Sequence, residues 1–222
     1  MKRILNYLSN LIFENICFAC KKQSGNDLIC KKCESEYRYR EKNNYIKHLP
    51  NIEVFSFGYY EGSLRETILA LKSGKRKLAD FFALKLFNFW QQVTSEKIQK
   101  TNFLVIPVPS HKKRIRERGF CQTSLISKHF SKMTGYKYTD GFVIRRKETK
   151  YMNSLGTLRE RVENIKNAFE LLDFIPEKKS ILIVDDIVTS GNTMTEIAKT
   201  IKTKYPDLIL YGLTIASGDQ FN

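Results

Sequence analysis

Residues 181–193, ILIVDDIVTSGNT, constrain the fold more than any other stretch. Ile181 to Val184 form an apolar run with no polar face, so a strand here must be covered on both sides, as in a parallel sheet between layers of helices. Asp185 and Asp186 follow where such a strand is expected to leave the sheet, at the carboxyl edge where open α/β sheets bind ligands. The loop that comes next carries the hydroxyls of Thr189, Ser190 and Thr193, with Asn192 among them, and Gly191 permits close backbone approach. It runs into a helix whose free N–H groups favour an anion. Paired carboxylates suit the vicinal hydroxyls of a ribose, and the loop suits a phosphate, so the segment predicts a site for a phosphorylated ribose. The carboxylates would also help retain Mg²⁺ brought by a diphosphate. A charged turn followed by a helix capped at Thr193 is the plainer alternative.

The second half alternates strand and helix around this motif. Strands are expected at 103–108, 141–145, 168–172, 181–184 and 208–216, with helices at 119–133 and 193–204. Earlier, residues 51–60 read as a strand, and helices follow from Ser63 and over 78–93, separated by the basic break KSGKRK. This order predicts a parallel α/β sheet with both faces covered. At 222 residues the chain can hold one ordinary core plus a small appendage. The division expected is a module at 1–50 and a larger domain at 51–222.

Residues 14–50 lack a periodic apolar pattern but contain Cys17, Cys20, Cys30 and Cys33, spaced C-x2-C-x9-C-x2-C. Two C-x2-C turns can complete a tetrahedron of thiolates around a structural Zn²⁺, with Gly25-Asn26-Asp27 closing the gap. Lys21, Lys22, Lys31 and Lys32 would offset the excess thiolate charge. Two disulfides suit an oxidising compartment, and an iron–sulfur cluster is the lesser alternative. Cys121 has no partner in sequence and reads as a helix residue.

The N-terminus, MKRILNYLSNLIF, is broken by Asn6, Ser9 and Asn10 and lacks a small-residue cleavage site before Cys17. An amphipathic lead-in helix and a cytoplasmic location are expected. No apolar run approaches the length of a membrane span. The net charge of +15 is uneven: residues 101–150 hold twelve Lys and Arg against three Asp and Glu. Such a basic stretch attracts polyanions, pyrophosphate or nucleic acid. KKRIRER (112–118) is its densest part, and Tyr59 and Tyr60 are candidates for stacking on bases, although strand aromatics usually belong to a core. His48, His111 and His129 occur singly, and none is assigned a role.

ILIVDDIVTSGNT resembles the phosphoribosyl pyrophosphate signature of type I phosphoribosyltransferases. With CFAC…CKKC before it and IPVP…RERGFCQ between, nearly the whole chain resembles the ComF family. The resemblance implies a type I phosphoribosyltransferase-like parallel-sheet domain behind a four-cysteine zinc module, and a role in natural transformation or use of imported DNA. It implies that Asp185, Asp186 and residues Thr189, Ser190, Gly191, Asn192 and Thr193 hold the ribose and its 5′-phosphate. Pro107 to Ser110 occupy the place of a pyrophosphate loop, with Pro109 and Ser110 at its tip and Arg116, Arg118 and Gln122 nearby. The family usually shows RGFNQ, so Cys121 replaces an asparagine.

A second match, RRKETKYMNSLGTLRERVEN, fits a family pattern through Arg145 or Arg146, Thr149, Leu155, Arg161 and Asn164, with Met152 where glutamine is expected. In catalytic relatives this stretch would be a mobile hood over pyrophosphate. Two functions follow as expectations. One is binding of phosphoribosyl pyrophosphate with Mg²⁺, together with single-stranded DNA tracked by Lys72, Lys112, Lys113, Arg114 and Arg116, in concert with competence-machinery proteins. The other is an active phosphoribosyltransferase with an unidentified acceptor, for which no general acid or base announces itself.

Overall fold

A computed structural model of the chain describes residues 15–41, 44–149, 157–172 and 179–218. The expected lead-in helix, Met152 and Leu155 lie outside these residues. Among the described residues, six strands form one sheet: β1 (Ile46–Leu49), β2 (Ile52–Tyr59), β3 (Leu104–Pro107), β4 (Lys137–Tyr138), β7 (Ser180–Val188) and β8 (Ile209–Ser217). Their spatial order is β1-β2-β8-β7-β3-β4. Every pairing is parallel except the edge pair β1 and β2, which is antiparallel.

The central strand β7 shows why both faces are covered. Successive side chains of a strand point to opposite faces. Leu182 and Val184 join one buried cluster, with Leu64, Ile68, Phe82, Leu86, Trp90 and Ile126. Ile181 and Ile183 join the other, with Met194, Ile197, Ala198 and Ile201. The first cluster is closed by helices α2 (Gly62–Lys72), α3 (Leu78–Val93) and α6 (Gln122–Thr134), the second by α8 (Asn192–Lys204). Along α3 the fully buried Leu78, Phe82, Leu86 and Trp90 recur at four-residue spacing and form the inner stripe. Trp90 meets Phe55 and Phe103 edge-on, with ring centroids 5.4 and 5.8 Å apart, the arrangement favoured by ring quadrupoles.

The cysteine segment packs on the same core. Cys17, Ile29, Cys33 and Tyr37 belong to the first cluster. Helix α1 (Lys31–Ser35) begins directly after Cys30 and carries Cys33. Ser63 donates to the Cys33 carbonyl at 2.6 Å, the Tyr37 and Thr67 hydroxyls are bonded at 2.9 Å, and Lys85 pairs with Glu34. No described helix is long and apolar enough to cross a membrane.

Several local expectations change. The helix expected at 119–133 is α6, which starts only at Gln122. Before it lies a helix not expected from the sequence, α5 (Lys112–Arg118), which ends at Gly119, where a left-handed φ of 76° lets the N–H donate to the Ile115 carbonyl. The strands expected at 141–145 and 168–172 are the short β5 (Val143–Arg145) and β6 (Phe169–Leu171), which pair antiparallel in a separate two-stranded sheet. Between them lies α7 (Leu158–Ile165), opened by a capping box of Thr157 and Glu160. A short helix, α4 (Glu96–Gln99), precedes β3. Finally, β7 does not stop before the aspartates. It continues to Val188 because β8 keeps pairing with it, Asp185 opposite Thr214 and Val188 opposite Ser217.

Candidate functional site

The carboxyl ends of β3 and β7 open into a cavity of about 380 Å³. Its floor is Asp185 to Val188, and its rim is the loop Thr189, Ser190, Gly191 leading to Asn192 and Thr193 on α8. Pro109 and Ser110 after β3, Arg114 and Arg118 from α5, Gln122 from α6, Lys72 from α2 and Arg145 from β5 complete the walls. All ten residues expected to hold the phosphoribosyl group therefore share one cavity. Lys72 and Arg114, expected at a nucleic-acid surface, also face it. Lys112, Lys113 and Arg116 are exposed on the opposite side of α5, where Lys113 pairs with Glu148 at 2.9 Å.

The loop's shape follows from Gly191. It caps α8 with φ 83°, and its carbonyl accepts the Thr195 N–H at 2.9 Å. A Cβ placed there would lie 2.5 Å from Leu49 Cδ1. The helix thus starts at Asn192 with Gly191 as its cap, and Thr193 lies in its first turn and lines the cavity. Across the cavity, Thr123 fixes the turn after β3 by donating to the Val108 carbonyl at 2.8 Å. Cys121, the residue before α6, sits beside this turn with Sγ 3.1 Å from Thr123 Oγ1 and 3.6 Å from Ser110 Oγ. Burial works against its thiolate, but the hydroxyls of Ser124, Thr123 and Ser110 outweigh it and lower the thiol's pKa.

The aspartates are inequivalent. Alternation along β7 sends Asp186 to the α2–α6 side, where its Oδ2 accepts Lys72 Nζ and Gln122 Nε2, each at 3.1 Å. Asp186 is 7% exposed and Gln122 4%. Asp185 lies on the other side and accepts the Asp186 N–H at 2.8 Å. Burial, then the neighbouring Asp186 charge, push Asp185 up to about 8, against the pull of that N–H, Lys72 and Arg145. Arg145 is brought down to about 10 by burial and by Arg114, with Asp185 opposing. The lining carries four cations, Lys72, Arg114, Arg118 and Arg145, against two carboxylates. Two arginines crowded in a buried cavity are stabilised when an anion comes between them.

Of the consecutive arginines, Arg145 is the one that reaches the cavity. It donates to the hydroxyl of buried Thr149, whose carbonyl accepts Arg114 Nη2 at 2.8 Å. Arg146 points away and pairs with Glu170 through two bonds of 2.7 and 3.2 Å. The R-x-x-x-T spacing was the sequence signal for this pair. Tyr60 lines the cavity as well, whereas the Tyr59 ring is covered by the guanidinium groups of Arg38 and Arg40 at 4.3 and 3.9 Å. His129 and His48 pair with Asp80 and Glu53, and His111 caps α5.

Outside the cavity lining, the four cysteine Sγ atoms lie within 4.8 Å of one another. Cys20 and Cys30 are 3.8 Å apart, close to the roughly 3.8 Å edge of a tetrahedron whose sulfurs are about 2.3 Å from Zn²⁺. Burial opposes the Cys17 thiolate, but the N–H groups of Cys30, Cys20 and Ala19 outweigh it and bring it down to about 6. Burial and the three neighbouring thiols push Cys33 up. The donor set fits a zinc ion. The acidic pair fits a divalent cation less well, because Asp186 Oδ2 already has two donors.

A parallel sheet with an acidic pair on its central strand and a glycine loop opening into a helix defines a type I phosphoribosyltransferase-like protein. The family model described as "Phosphoribosyl transferase domain" matches residues 128–218. The chain is 28% identical to "Competence protein F" of Haemophilus influenzae over 90% of each chain. It is 24% identical to "Competence protein ComFC" of Bacillus subtilis over 86% of this chain and 72% of that one. Over 43% of this chain and 41% of the relative, it is 35% identical to "DNA utilization protein YhgH" of Escherichia coli. Over most of its length the chain is thus similar to ComF-type competence proteins.

Proposed function

We propose that this protein binds phosphoribosyl pyrophosphate and single-stranded DNA in support of DNA uptake. The observation that carries the reading is the convergence of the acidic pair, the Gly191 loop and four cations on one cavity. The hydroxyls of Thr189, Ser190 and Thr193 and the N-terminus of α8 would receive the 5′-phosphate. Asp185 and Asp186 would accept the ribose hydroxyls, while Ser110, Arg114, Arg118 and Arg145 face the diphosphate. Mg²⁺ travelling with the diphosphate would supply charge neutralisation. Cys17, Cys20, Cys30 and Cys33 would hold a structural Zn²⁺ in a module spanning 1–50, beside a phosphoribosyl-binding domain at 51–222.

The names of the relatives support the cellular role, which we place in the cytoplasm alongside competence-machinery proteins. The exposed Lys112, Lys113 and Arg116 offer a basic ridge for single-stranded DNA. Three phosphate contacts would give a log–log salt slope of about −2. Calorimetry with phosphoribosyl pyrophosphate and Mg²⁺ tests the cavity: the Asp185→Ala/Asp186→Ala variant should lose affinity, and equal affinities would remove the reading. Single-stranded DNA titrated at two salt concentrations tests the ridge. Binding indifferent to salt, or to charge reversal at Lys112, Lys113 and Arg116, would remove that part.

A second reading is an active phosphoribosyltransferase with an unidentified acceptor. It is favoured by Arg114, Arg118 and Arg145, which face the place where a leaving diphosphate develops charge. Release of labelled pyrophosphate in the presence of nucleobases and cell extract is its test.

A further inference from the structure

The acidic pair already contains a cation. Lys72 Nζ and Gln122 Nε2 both contact Asp186 Oδ2, each at 3.1 Å, so three elements (α2, α6 and β7) converge on a single oxygen. Lys72 comes from the last position of α2 and its side chain is a quarter exposed. Gln122 cannot withdraw into water: it is 4% exposed, and its other amide atom, Oε1, has no partner. A metal ion at this oxygen would have to evict both donors. Arg114, Arg118 and Arg145 face the same cavity from α5 and β5, so its formal charge is positive before any metal arrives. A divalent cation alone is therefore disfavoured in it.

We propose that Lys72 is the resident counter-cation of the Asp185–Asp186 pair, so that the ribose 5-phosphate end of a ligand is held without a divalent metal. This rests on the phosphoribosyl reading above and narrows it: any need for Mg²⁺ belongs to the diphosphate arm. The physical reason is the cost of adjacent carboxylates. Two like charges on consecutive residues, one of them buried, oppose each other's ionisation. An ammonium at hydrogen-bond distance offsets part of that cost in place, as a metal would. Without it, the pair either holds a proton more tightly or recruits a cation from solution. Lys72 is thus a positioning residue that sets the metal requirement.

The test is calorimetry on the full chain with ribose 5-phosphate, in EDTA and in Mg²⁺, alongside phosphoribosyl pyrophosphate in Mg²⁺. The wild type should bind ribose 5-phosphate with affinities within about twofold in the two conditions. Lys72→Met should weaken binding about tenfold or more in EDTA, the loss of one charge-assisted contact, and Mg²⁺ should restore part of it. Lys72→Arg should keep the wild-type indifference to metal. Should Lys72→Met fail to fold, Lys72→Gln keeps a donor without the charge, and the same gain of metal dependence is expected. Binding of ribose 5-phosphate by the wild type only when Mg²⁺ is present would overturn the proposal. So would a neutral variant with the wild-type metal response. If phosphoribosyl pyrophosphate binds in either case, only this inference falls; if neither ligand binds the wild type with Mg²⁺, the phosphoribosyl reading falls with it.

Discussion

Replacing Gly191 by alanine tests the geometry of the loop before α8 on two separable counts. The backbone there has φ 83°, where an L-residue costs roughly 1–2 kcal/mol relative to glycine. The new Cβ would also fall 2.5 Å from Leu49 Cδ1 and 3.0 Å from Cδ2, an overlap worth about 1–3 kcal/mol of the kind met when a packed site is overfilled. Gly191→Ala should therefore destabilise the fold by about 2–5 kcal/mol. Leu49 lies at the end of the edge strand β1 and packs against the second core cluster. Truncating it to alanine removes the overlap but leaves the backbone strain. The double variant Gly191→Ala/Leu49→Ala should accordingly be more stable than the sum of the single losses by about 1–3 kcal/mol. Urea unfolding followed by far-UV circular dichroism measures all four corners of the cycle. Additivity within about 0.5 kcal/mol would refute the claim that Leu49 supports this loop from behind.

Other outcomes follow from the same geometry. Freshly purified protein should carry one zinc per chain by metal analysis, and Cys33→Ser should lose it together with thermal stability, because Cys33 is also part of the core. Asp185 has a folded-state pKa raised to about 8, so its contribution to stability is present below the ordinary carboxylate range and is lost as pH rises through 8. Melting temperatures should fall between pH 5 and pH 8 more in the wild type than in Asp185→Asn; parallel curves would contradict the assignment. Arg145→Ala should weaken phosphoribosyl pyrophosphate binding about tenfold, whereas Arg146→Ala should change it less than twofold, since Arg146 is engaged with Glu170 outside the cavity. Phe82→Ala, which empties a fully buried site on α3, should cost about 3–5 kcal/mol in chemical unfolding.

Strong local patterns were legible. The α3 stripe carries a helical period, and the apolar runs of β2, β7 and β8 are short and rich in β-branched or aromatic residues, as strands are. α5 was missed: basic residues followed by glycine mark a helix stop, but Gly119 was read as the start of the next helix instead of the end of this one. β1 and β4 were not legible: IKHL places a charged and an exposed residue among two apolar ones, and β4 has two residues. Such segments become strands because a neighbour's edge offers hydrogen bonds. β5 and β6 were legible as strands, but their apolar character is compatible with the main sheet and did not show that their partners are each other.

By itself the sequence determined that a two-face-buried strand carries an acidic pair ahead of a glycine loop and a helix, and that four cysteines can close on one point, because spacing and apolar pattern along the chain dictate both. Only the tertiary structure decided which cations meet which acids. Lys72 on α2, Gln122 on α6 and Asp186 on β7 lie far apart in sequence, and their meeting depends on how the helices seat on one face of the sheet. It likewise separated Arg145 from Arg146 and the two sides of α5, because a side chain's direction is fixed by packing and not by composition. The opening motif thus forms the floor of the cavity, with one of its two carboxylates already paired.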